Sequence, residues 1–258
     1  MADALIGCTG FVGGNLLRQT HFDDLYHSRN INDIRGRRYE LIVCAGARAE
    51  KWKANQDPET DRGNLQVLCD ALQDAHAHKL LLISTVDVYP VPIGVDEETP
   101  IDCARATAYG RHRYELEQFL SDRFNTVVVR LPGLFGPGLR KNVVYDLLHD
   151  NQVHKIHPDS IHQFYNLNYL WADLQKVLRE DLRLVNFATE PLPTAELASL
   201  VFNRSLTQPG GLTAAARYDF RSRHAMRLGG ADGYLYRKDQ LLADLCRFVA
   251  AEKRRDAA

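Results

Sequence analysis

The chain has 258 residues, 45% of them hydrophobic, which is enough to bury the core of one large α/β domain. Its net charge of -1 excludes a strongly basic nucleic-acid binder and an acidic disordered tail, so we expect no nucleic-acid partner. The five cysteines are an odd number without paired spacing and indicate reduced thiols in a cytoplasmic protein. No segment contains the ~20 apolar residues of a membrane span, so we expect no membrane partner.

Strand-like and helix-like segments alternate through the first half of the chain. The apolar run at residues 4–6 predicts a strand that enters a glycine-rich turn, and the apolar spacing over residues 11–19 predicts the helix after it. Further strands are predicted at residues 24–27, 39–44, 80–83 and 126–129, and further helices at residues 58–76 and 107–122. This alternation is typical of βαβ units, so the predicted fold class is α/β, a Rossmann-type doubly wound parallel sheet.

The second half of the chain has weaker periodicity. We predict helices over residues 141–151, 194–202 and 238–253, a strand over residues 182–187 and a loop over residues 208–211. Residues 1–140 are accordingly interpreted as the dinucleotide-binding core. Residues 141–258 are expected to form a small C-terminal substrate lobe that contributes a late strand and the last helix and packs on the core as one unit.

The glycine-rich turn lies between a predicted strand and a predicted helix, and that context gives the pattern its meaning. Gly7 permits a tight turn, Gly10 lets the backbone approach a pyrophosphate, and Gly13 lets the helix pack close to the strand. Free N–H groups at the helix start favour an anion. We therefore predict a nicotinamide cofactor held by Gly7, Thr9, Gly10, Phe11, Val12 and Gly13. The alternative is an ordinary βα turn.

The end of the second predicted strand bears on the choice of cofactor. NAD-binding proteins of this fold usually place a carboxylate there for the ribose hydroxyls, whereas this chain has Ser28 and Arg29. An arginine suits a 2′-phosphate, so the sequence favours NADP over NAD. The alternative is that Arg29 is a solvated loop residue without a ligand.

Several landmarks follow one another in a fixed order along the chain. They are Gly7-x-x-Gly10-x-x-Gly13, Cys44-Ala45-Gly46-Ala47, Ser84-Thr85-Val86-Asp87-Val88-Tyr89, Tyr109-Gly110-Arg111-His112-Arg113 and the loop at residues 130–138. Together they resemble the extended short-chain dehydrogenase/reductase superfamily, in its NAD(P)-dependent sugar-nucleotide epimerase/dehydratase branch. The resemblance implies a homodimer formed through the two long helices, and cofactor contacts from Cys44, Ala45, Gly46, Ala47, Asn64, Leu131 and Pro132.

The resemblance also implies the catalytic residues. Tyr109 corresponds to the acid/base that moves a proton to or from a carbonyl or hydroxyl, and Thr85 to the residue that hydrogen-bonds the substrate oxygen. Arg113 lies one helical turn after Tyr109, where a cation lowers the pKa of the tyrosine and steadies the nicotinamide ribose. The family normally has lysine here, so the site is an atypical Tyr-x-x-x-Arg form. Asp87 is either an assisting base or a carboxylate that caps the local turn.

Candidate substrate residues come from two segments. Lys51 opens a Lys/Trp/Asn cluster that could bind a phosphate or carboxylate, or could begin an exposed basic helix with Trp52 packed. Arg140, Lys141 and Asn142 could supply anion and amide contacts, because residues 162–168 lack the arginine that many sugar-nucleotide enzymes carry. No metal is predicted, since the spacing of the histidines does not suit metal ligands, the residues considered being His149, His154, His157 and His162.

The sequence thus predicts an NADP- or NAD-dependent reductase or epimerase that acts on a hydroxyl or carbonyl of a sugar-like or small polar substrate. The alternative is a non-catalytic sensor or scaffold that binds the dinucleotide without turnover. An intact phosphate loop beside an altered Tyr-x-x-x-Arg site is compatible with both.

Overall fold

The computed structural model describes residues 2–208 and 214–256. The loop predicted at residues 208–211 lies outside these residues except for its first member. Within them the strands are β1 (Asp3–Ile6), β2 (Asp24–Tyr26), β3 (Arg38–Cys44), β4 (His76–Thr85), β5 (Thr126–Leu131), β6 (Gly133–Phe135), β7 (Ile161–His162), β8 (Phe164–Asn166), β9 (Leu184–Asn186) and β10 (Leu192–Pro193). The α-helices are α1 (Phe11–Leu16), α2 (Lys51–Gln56), α3 (Pro58–Leu72), α4 (Ala108–Arg123), α5 (Val143–Leu148), α6 (Leu170–Arg179), α7 (Thr194–Phe202) and α8 (Lys238–Asp256).

The chain forms two compact units, and each unit draws on segments that are not consecutive. The first unit comprises Met1–Pro90, Glu97–Leu131 and Asn168–Asn186, and the second comprises Val91–Asp96, Pro132–Leu167 and Phe187–Ala258. The sequence predicts one boundary, at residue 140, between two continuous units. In the structure the chain instead passes back and forth between the two units, so that each is assembled from three segments. The late strand illustrates the difference, because β9 pairs in parallel with β5 of the first unit.

The first unit is built on a six-stranded parallel sheet in the order β2-β1-β3-β4-β5-β9. The chain passes from β1 to β2 on one side and then to β3 on the other, so its winding direction reverses between β1 and β3. Ile6 pairs with Tyr26 on one side and Cys44 on the other, which brings the carboxyl ends of these three strands together. Ligands of open α/β sheets bind at such a reversal. The parallel sheet with its intervening helices confirms the predicted α/β class.

Apolar residues buried between the sheet and its helices explain why these elements form. The predicted helical positions Leu65, Leu68 and Leu72 of α3 are buried in one cluster with Leu116 and Leu120 of α4. The strand predicted at residues 80–83 is likewise buried along its length, as expected for a parallel strand covered on both faces. This packing positions the starts of α3 and α4 beside the carboxyl edge of the sheet.

Where it is described, the second unit forms two small two-stranded sheets and three α-helices. Strand β6 pairs in parallel with β8, and β7 pairs in antiparallel orientation with β10. Helices α5, α7 and α8 bury their apolar faces around Phe135 and Phe164 of the first of these sheets. Across the part of the chain that is described, no helix is long and apolar enough to cross a membrane.

Candidate active site

Close backbone contacts explain two glycines of the turn after β1. Gly7 has φ +86°, and a Cβ on it would lie 2.3 Å from the carbonyl oxygen of Ala45. A Cβ on Gly13 would lie 2.2 Å from the carbonyl oxygen of Gly7. The Gly7 N–H donates to the Tyr26 carbonyl at 2.7 Å, which ties the turn to the end of β2. Any side chain at either glycine would therefore displace the backbone of this turn.

The tip of the same turn is open and suits a pyrophosphate. Thr9 and Gly10 are exposed, and Phe11 and Val12 are half-buried at the start of α1. A Cβ on Gly10 would meet only the Gly7 carbonyl oxygen, at 3.2 Å, so packing does not require glycine there. Gly10 precedes α1 without a side-chain cap, and the first turn of α1 carries no acidic residue. Since N–H groups of a first turn lack partners within the helix, this turn fits the phosphates of a dinucleotide.

The end of β2 presents an exposed arginine and no carboxylate. Ser28 and Arg29 are both exposed and follow Tyr26, which lies next to Ile6 in the sheet. The Arg29 backbone N–H donates to His27 Nδ1 at 3.2 Å, which shapes the local turn. The predicted pair thus follows Tyr26, whose carbonyl accepts from the glycine-rich turn.

The residues after β3 line the other side of that turn. The Ala45 N–H donates to the Ile6 carbonyl at 2.9 Å, and a Cβ on Gly46 would lie 2.9 Å from the Ile6 side chain. Burial raises the pKa of the Cys44 thiol to about 11, so this cysteine is a protonated core residue rather than a nucleophile. Ala47, the last of the four, packs against the core of the first unit.

The other predicted cofactor residues lie on separate elements. Asn64 donates through its side-chain amide to the Thr60 carbonyl at 2.8 Å, a bond within α3. Leu131 ends β5, is buried and pairs with Thr85 of β4, and Pro132 follows it directly. Leu131 is therefore next to Thr85 in the sheet, whereas the amide of Asn64 serves its own helix.

Tyr109 and Thr85 meet where β4 ends and α4 begins. Thr107 caps α4, its side chain accepting a hydrogen bond from the Gly110 N–H at 3.3 Å, so Tyr109 lies in the first turn. Thr85 acts on the Tyr109 phenol by hydrogen bonding, an effect that lowers the pKa of the tyrosine. Tyr109 is only 6% exposed, and burial is the largest of the effects that raise its pKa. The phenol is therefore protonated at neutral pH and can donate a proton.

Arg113 is buried against the ring of Tyr109. Its guanidinium carbon lies 4.1 Å from the centroid of the tyrosine ring, a cation–π contact that places positive charge beside the phenol. One terminal nitrogen donates to Asp61 of α3, and the other donates to the backbone carbonyl of Arg48. Arg113 is thus held from three sides, which a lysine with its single ammonium could not reproduce.

The buried partners of Arg113 are distant from it along the chain and are not indicated by local sequence spacing. Asp61 also accepts a hydrogen bond from His112 at 2.8 Å, and all three side chains are buried. Burial opposes the ionisation of Asp61, but the hydrogen bonds from Arg113 and His112 outweigh it and hold its pKa below the ordinary value. The sequence does place Asp61 in the first turn of a predicted helix. A carboxylate at that position usually interacts with the helix dipole, so it does not by itself indicate a buried partner for Arg113.

Asp87 and Lys51 form an ion pair, and the charges of both act on Tyr109. Their side-chain atoms Oδ1 and Nζ are 2.7 Å apart. The Asp87 N–H donates to Thr85 Oγ1 at 3.1 Å. Lys51 begins α2 as the alternative interpretation has it, but Trp52 is 63% exposed, so the expectation that Trp52 is packed is wrong.

The remaining substrate candidates belong to the second unit. Arg140 and Lys141 are exposed. Asn142, at φ 110°, accepts from the N–H groups of Val144 and Tyr145 and donates to the Leu134 carbonyl at 2.8 Å. Its amide therefore caps α5, which accounts for the asparagine without a ligand. In the described residues no cluster of three or more His, Cys, Asp or Glu side chains is arranged to hold a metal ion.

Comparison with known proteins identifies the family of the chain. The profile of the NAD dependent epimerase/dehydratase family matches residues 19–167, more than half of the chain. The chain belongs to this family, a branch of the extended short-chain dehydrogenase/reductase superfamily, whose cofactor is NAD(P). The predicted family is confirmed. No curated protein matches the sequence significantly.

Solved structures of sugar-nucleotide enzymes share the fold. UDP-N-acetylglucosamine 4-epimerase of Methanobrevibacter ruminantium M1 has a TM-score of 0.77 at 12% identity, with 98% of each chain covered. UDP-glucose 4-epimerase of Thermotoga maritima has a TM-score of 0.74 at 14% identity, with 99% of each chain covered. The enzyme WbmG of Bordetella bronchiseptica, solved with NAD, has a TM-score of 0.69 at 15% identity and covers 88% of this chain and 87% of its own.

Proposed function

We propose that this protein is an NADP-dependent reductase or epimerase that acts on a hydroxyl or carbonyl of a sugar-like substrate. The observation that carries the proposal is the buried guanidinium of Arg113 stacked on the Tyr109 ring, beside a Thr85 hydroxyl that favours the ionised phenol. This constellation joins a proton donor, a hydroxyl that can bind the same oxygen, and a buried cation. It lies in the same unit as the glycine-rich turn that fits a dinucleotide.

The side chains have distinct parts in the proposed reaction. When bound, the nicotinamide cofactor would accept or deliver hydride at the reacting carbon. Tyr109 gives its phenolic proton to the substrate oxygen in the direction of reduction and takes it back in the direction of oxidation. Thr85 orients that oxygen with its hydroxyl, and Arg113 stabilises the phenolate that forms when Tyr109 loses its proton. The open backbone at Gly10 and the N–H groups of the first turn of α1 would hold the pyrophosphate.

The preference for NADP is supported by the end of β2. Arg29 is exposed beside the glycine-rich turn, and no carboxylate follows Tyr26 to contact ribose hydroxyls. A guanidinium pairs well with a phosphate dianion, whereas it gains little from a ribose hydroxyl. The preference is expected to depend on this side chain more than on Ser28.

Turnover is tested with NADP⁺ and NADPH against UDP-glucose and UDP-N-acetylglucosamine, the sugar nucleotides that the solved neighbours name. Absorbance of the reduced cofactor reports oxidation or reduction, and separation of the sugar nucleotides reports epimerisation, which leaves the cofactor unchanged overall. We expect Tyr109→Phe to lower the rate by about 100-fold or more, since general acid–base groups contribute on that order. Tyr114→Phe, on the same helix, is the matched control. Equal rates in wild type and Tyr109→Phe would contradict the proposal.

Cofactor preference is tested by calorimetric affinities for NADP⁺ and NAD⁺. We expect Arg29→Ala to lower the affinity for NADP⁺ by about tenfold, equivalent to about 1.4 kcal/mol, because one charge-assisted contact to a phosphate is lost. Binding of NAD⁺ should change little. Arg35→Ala is the control, since this exposed arginine pairs with Asp74. An unchanged ratio of the two affinities in Arg29→Ala would contradict the assignment.

A non-catalytic dinucleotide sensor is the second candidate function. The arginine at position 113 favours it, because both terminal nitrogens are engaged with Asp61 and the Arg48 carbonyl. A guanidinium held in this way is less able to contact a ribose than a lysine ammonium. This candidate predicts tight cofactor binding with no hydride exchange on any of the probes, and wild-type behaviour of Tyr109→Phe.

A further inference from the structure

The ion pair of Lys51 and Asp87 lies beside the proposed proton donor, but the reaction above gives it no part. The Lys51 side chain is 44% exposed and that of Asp87 is 19% exposed. Their charges compensate each other at 2.7 Å, so the pair has little net attraction for a substrate anion. The interpretation of Lys51 as a phosphate or carboxylate ligand therefore explains the pair poorly.

Two contacts from one face of α2 hold this helix against the start of α4 and against the turn that follows β4. Lys51 and Asn55 are four residues apart and lie on the same side of the helix. Asn55 Oδ1 accepts a hydrogen bond of 3.0 Å from the Tyr109 backbone N–H, while Lys51 contacts Asp87. Helix α4 approaches the same turn closely, since a Cβ on Gly110 would lie 2.1 Å from the Asp87 carbonyl oxygen. The lysine is thus held against the turn that follows β4, on a helix that is itself bonded to the backbone of Tyr109.

Thr85 links the ion pair to Tyr109. Its hydroxyl accepts the hydrogen bond of the Asp87 N–H at 3.1 Å, and Thr85 also lowers the pKa of Tyr109 by hydrogen bonding. Burial is the largest effect that raises the pKa of Tyr109, and the charge of Asp87 adds to it, while the charge of Lys51 lowers that pKa. The two members of the pair therefore act on the phenol in opposite directions.

The second cation that faces Tyr109 has a different setting. Arg113 stacks on the ring from within α4, and its counter-ion Asp61 reaches it from α3. Asp61 also contacts His112, the neighbour of Arg113 on α4. These groups are buried and held by several hydrogen bonds, so their effect on the phenol is constant. Lys51 approaches from α2 and is partly exposed, so its charge is the more adjustable of the two.

We propose that the Lys51–Asp87 ion pair is a second charged element of the proton-transfer site. Lys51 supplies positive charge to the Tyr109 hydroxyl, and Asp87 determines how much of that charge the hydroxyl experiences. Both act through Tyr109 and are positioning residues for it. The inference rests on the proposed function only for the use of Tyr109 in proton transfer. It requires that neutralising Lys51 and neutralising Asp87 have opposite effects, which a merely structural ion pair would not produce.

The ionisation of Tyr109 can be followed without any substrate. The full chain is labelled with ¹³Cζ-tyrosine, and the Tyr109 signal is assigned as the NMR resonance absent from Tyr109→Phe. We expect its titration to move to lower pH in Asp87→Asn and to higher pH in Lys51→Met, with a separation on the order of one pH unit. Lys51→Arg should behave as wild type. Lys53→Met is the charge-matched control, because Lys53 lies on the same helix and pairs with Glu50.

The change in the chemical shift of the Tyr109 resonance is compared among the variants at the highest pH at which every variant retains its far-ultraviolet circular dichroism. Equal extents in wild type, Asp87→Asn and Lys51→Met, or a change of the same sign in both variants, would overturn the inference. The result also distinguishes this inference from the proposed function. If Tyr109 titrates at lower pH in Asp87→Asn and at higher pH in Lys51→Met but no sugar nucleotide is turned over, the proposed function alone is contradicted. If Tyr109→Phe abolishes turnover but the two variants do not shift the titration in this order, the ion-pair inference alone is contradicted.

Discussion

Helix α4 carries two buried ion pairs one turn apart, and their surroundings differ. Glu117 pairs with Arg130 of β5, and Arg113 pairs with Asp61 of α3. All four side chains are less than a tenth exposed. Because a buried charge is costly unless it is paired and hydrogen-bonded, each pair must meet this cost through its neighbours. They do so to different extents.

The pair of Glu117 and Arg130 is satisfied within the fold. Arg130 donates to the carboxylate through Nε and Nη2 and to Tyr89 Oη through Nη1 at 2.7 Å, while Ser84 Oγ donates to Glu117 at 2.5 Å. Each of these groups has a protein partner, and none is needed for a ligand. This network joins α4 to β4 and β5, so we interpret it as structural.

The pair of Arg113 and Asp61 is satisfied less completely. Within the described residues Arg113 Nε has no hydrogen-bond partner, and the guanidinium lies on the ring of Tyr109. Part of its charge is therefore directed at a side chain that can transfer a proton. The comparison teaches that a buried ion pair near a site should be judged by what remains unsatisfied around it, since similar burial accompanies different roles.

The largest expected effect is on the structural pair. Glu117→Gln leaves Arg130 buried with its charge uncompensated, so the free energy of unfolding should fall by about 3–5 kcal/mol. Urea unfolding followed by circular dichroism measures this change. Glu115→Gln is the control, since this exposed residue pairs with Arg62 at the surface and should cost less than about 1 kcal/mol. A loss as small as that of the control would remove the distinction between the two pairs.

An intermediate effect is expected at the other pair. Asp61→Asn weakens hydrogen bonds to Arg113 and His112 and should lower the free energy of unfolding by about 2–3 kcal/mol. Because the folded pKa of Asp61 is lowered, its contribution is present above the unfolded pKa and is lost as pH falls through the folded value. The wild type should therefore lose stability on acidification more steeply than Asp61→Asn.

Urea unfolding at a series of pH values from neutral to strongly acidic measures this difference in slope. Asp70→Asn is the matched control, because this carboxylate lies on the same helix and accepts a hydrogen bond from Gln66 at the surface. Parallel pH profiles for wild type and Asp61→Asn would contradict the assignment of a lowered pKa to Asp61.

The smallest expected effect tests the arginine itself. Arg113→Lys keeps the charge but cannot bond Asp61 and the Arg48 carbonyl in one plane, so the free energy of unfolding should fall by about 1–2 kcal/mol. Arg113→Met removes the charge as well and should cost more, which separates the charge from the planar fork. Equal thermal unfolding of the lysine variant and the wild type would show that the fork is not needed.

The fold of the first unit follows largely from local sequence pattern. Apolar runs such as residues 80–83 and 126–129 form the predicted strands, and the helical spacing of Leu65 and Leu68 forms the predicted face of α3. These patterns are local, because strand and helix periodicity is written in consecutive residues. Helix α6 and the exchange of segments between units were not predicted, since they depend on pairings between distant parts of the chain.

By itself the sequence determined the βαβ order and the glycine-rich turn, because each depends on neighbours within a few positions. Its resemblance to a known family pointed to the candidate residues Tyr109 and Thr85. Only the tertiary structure decided which partners surround them. It brought Asp61 to Arg113 from 52 residues away and Lys51 to Asp87 from 36 residues away, and it assigned the amide of Asn142 to a helix cap. The physical reason is that electrostatic effects depend on distance in space and on burial, and neither is encoded in local spacing.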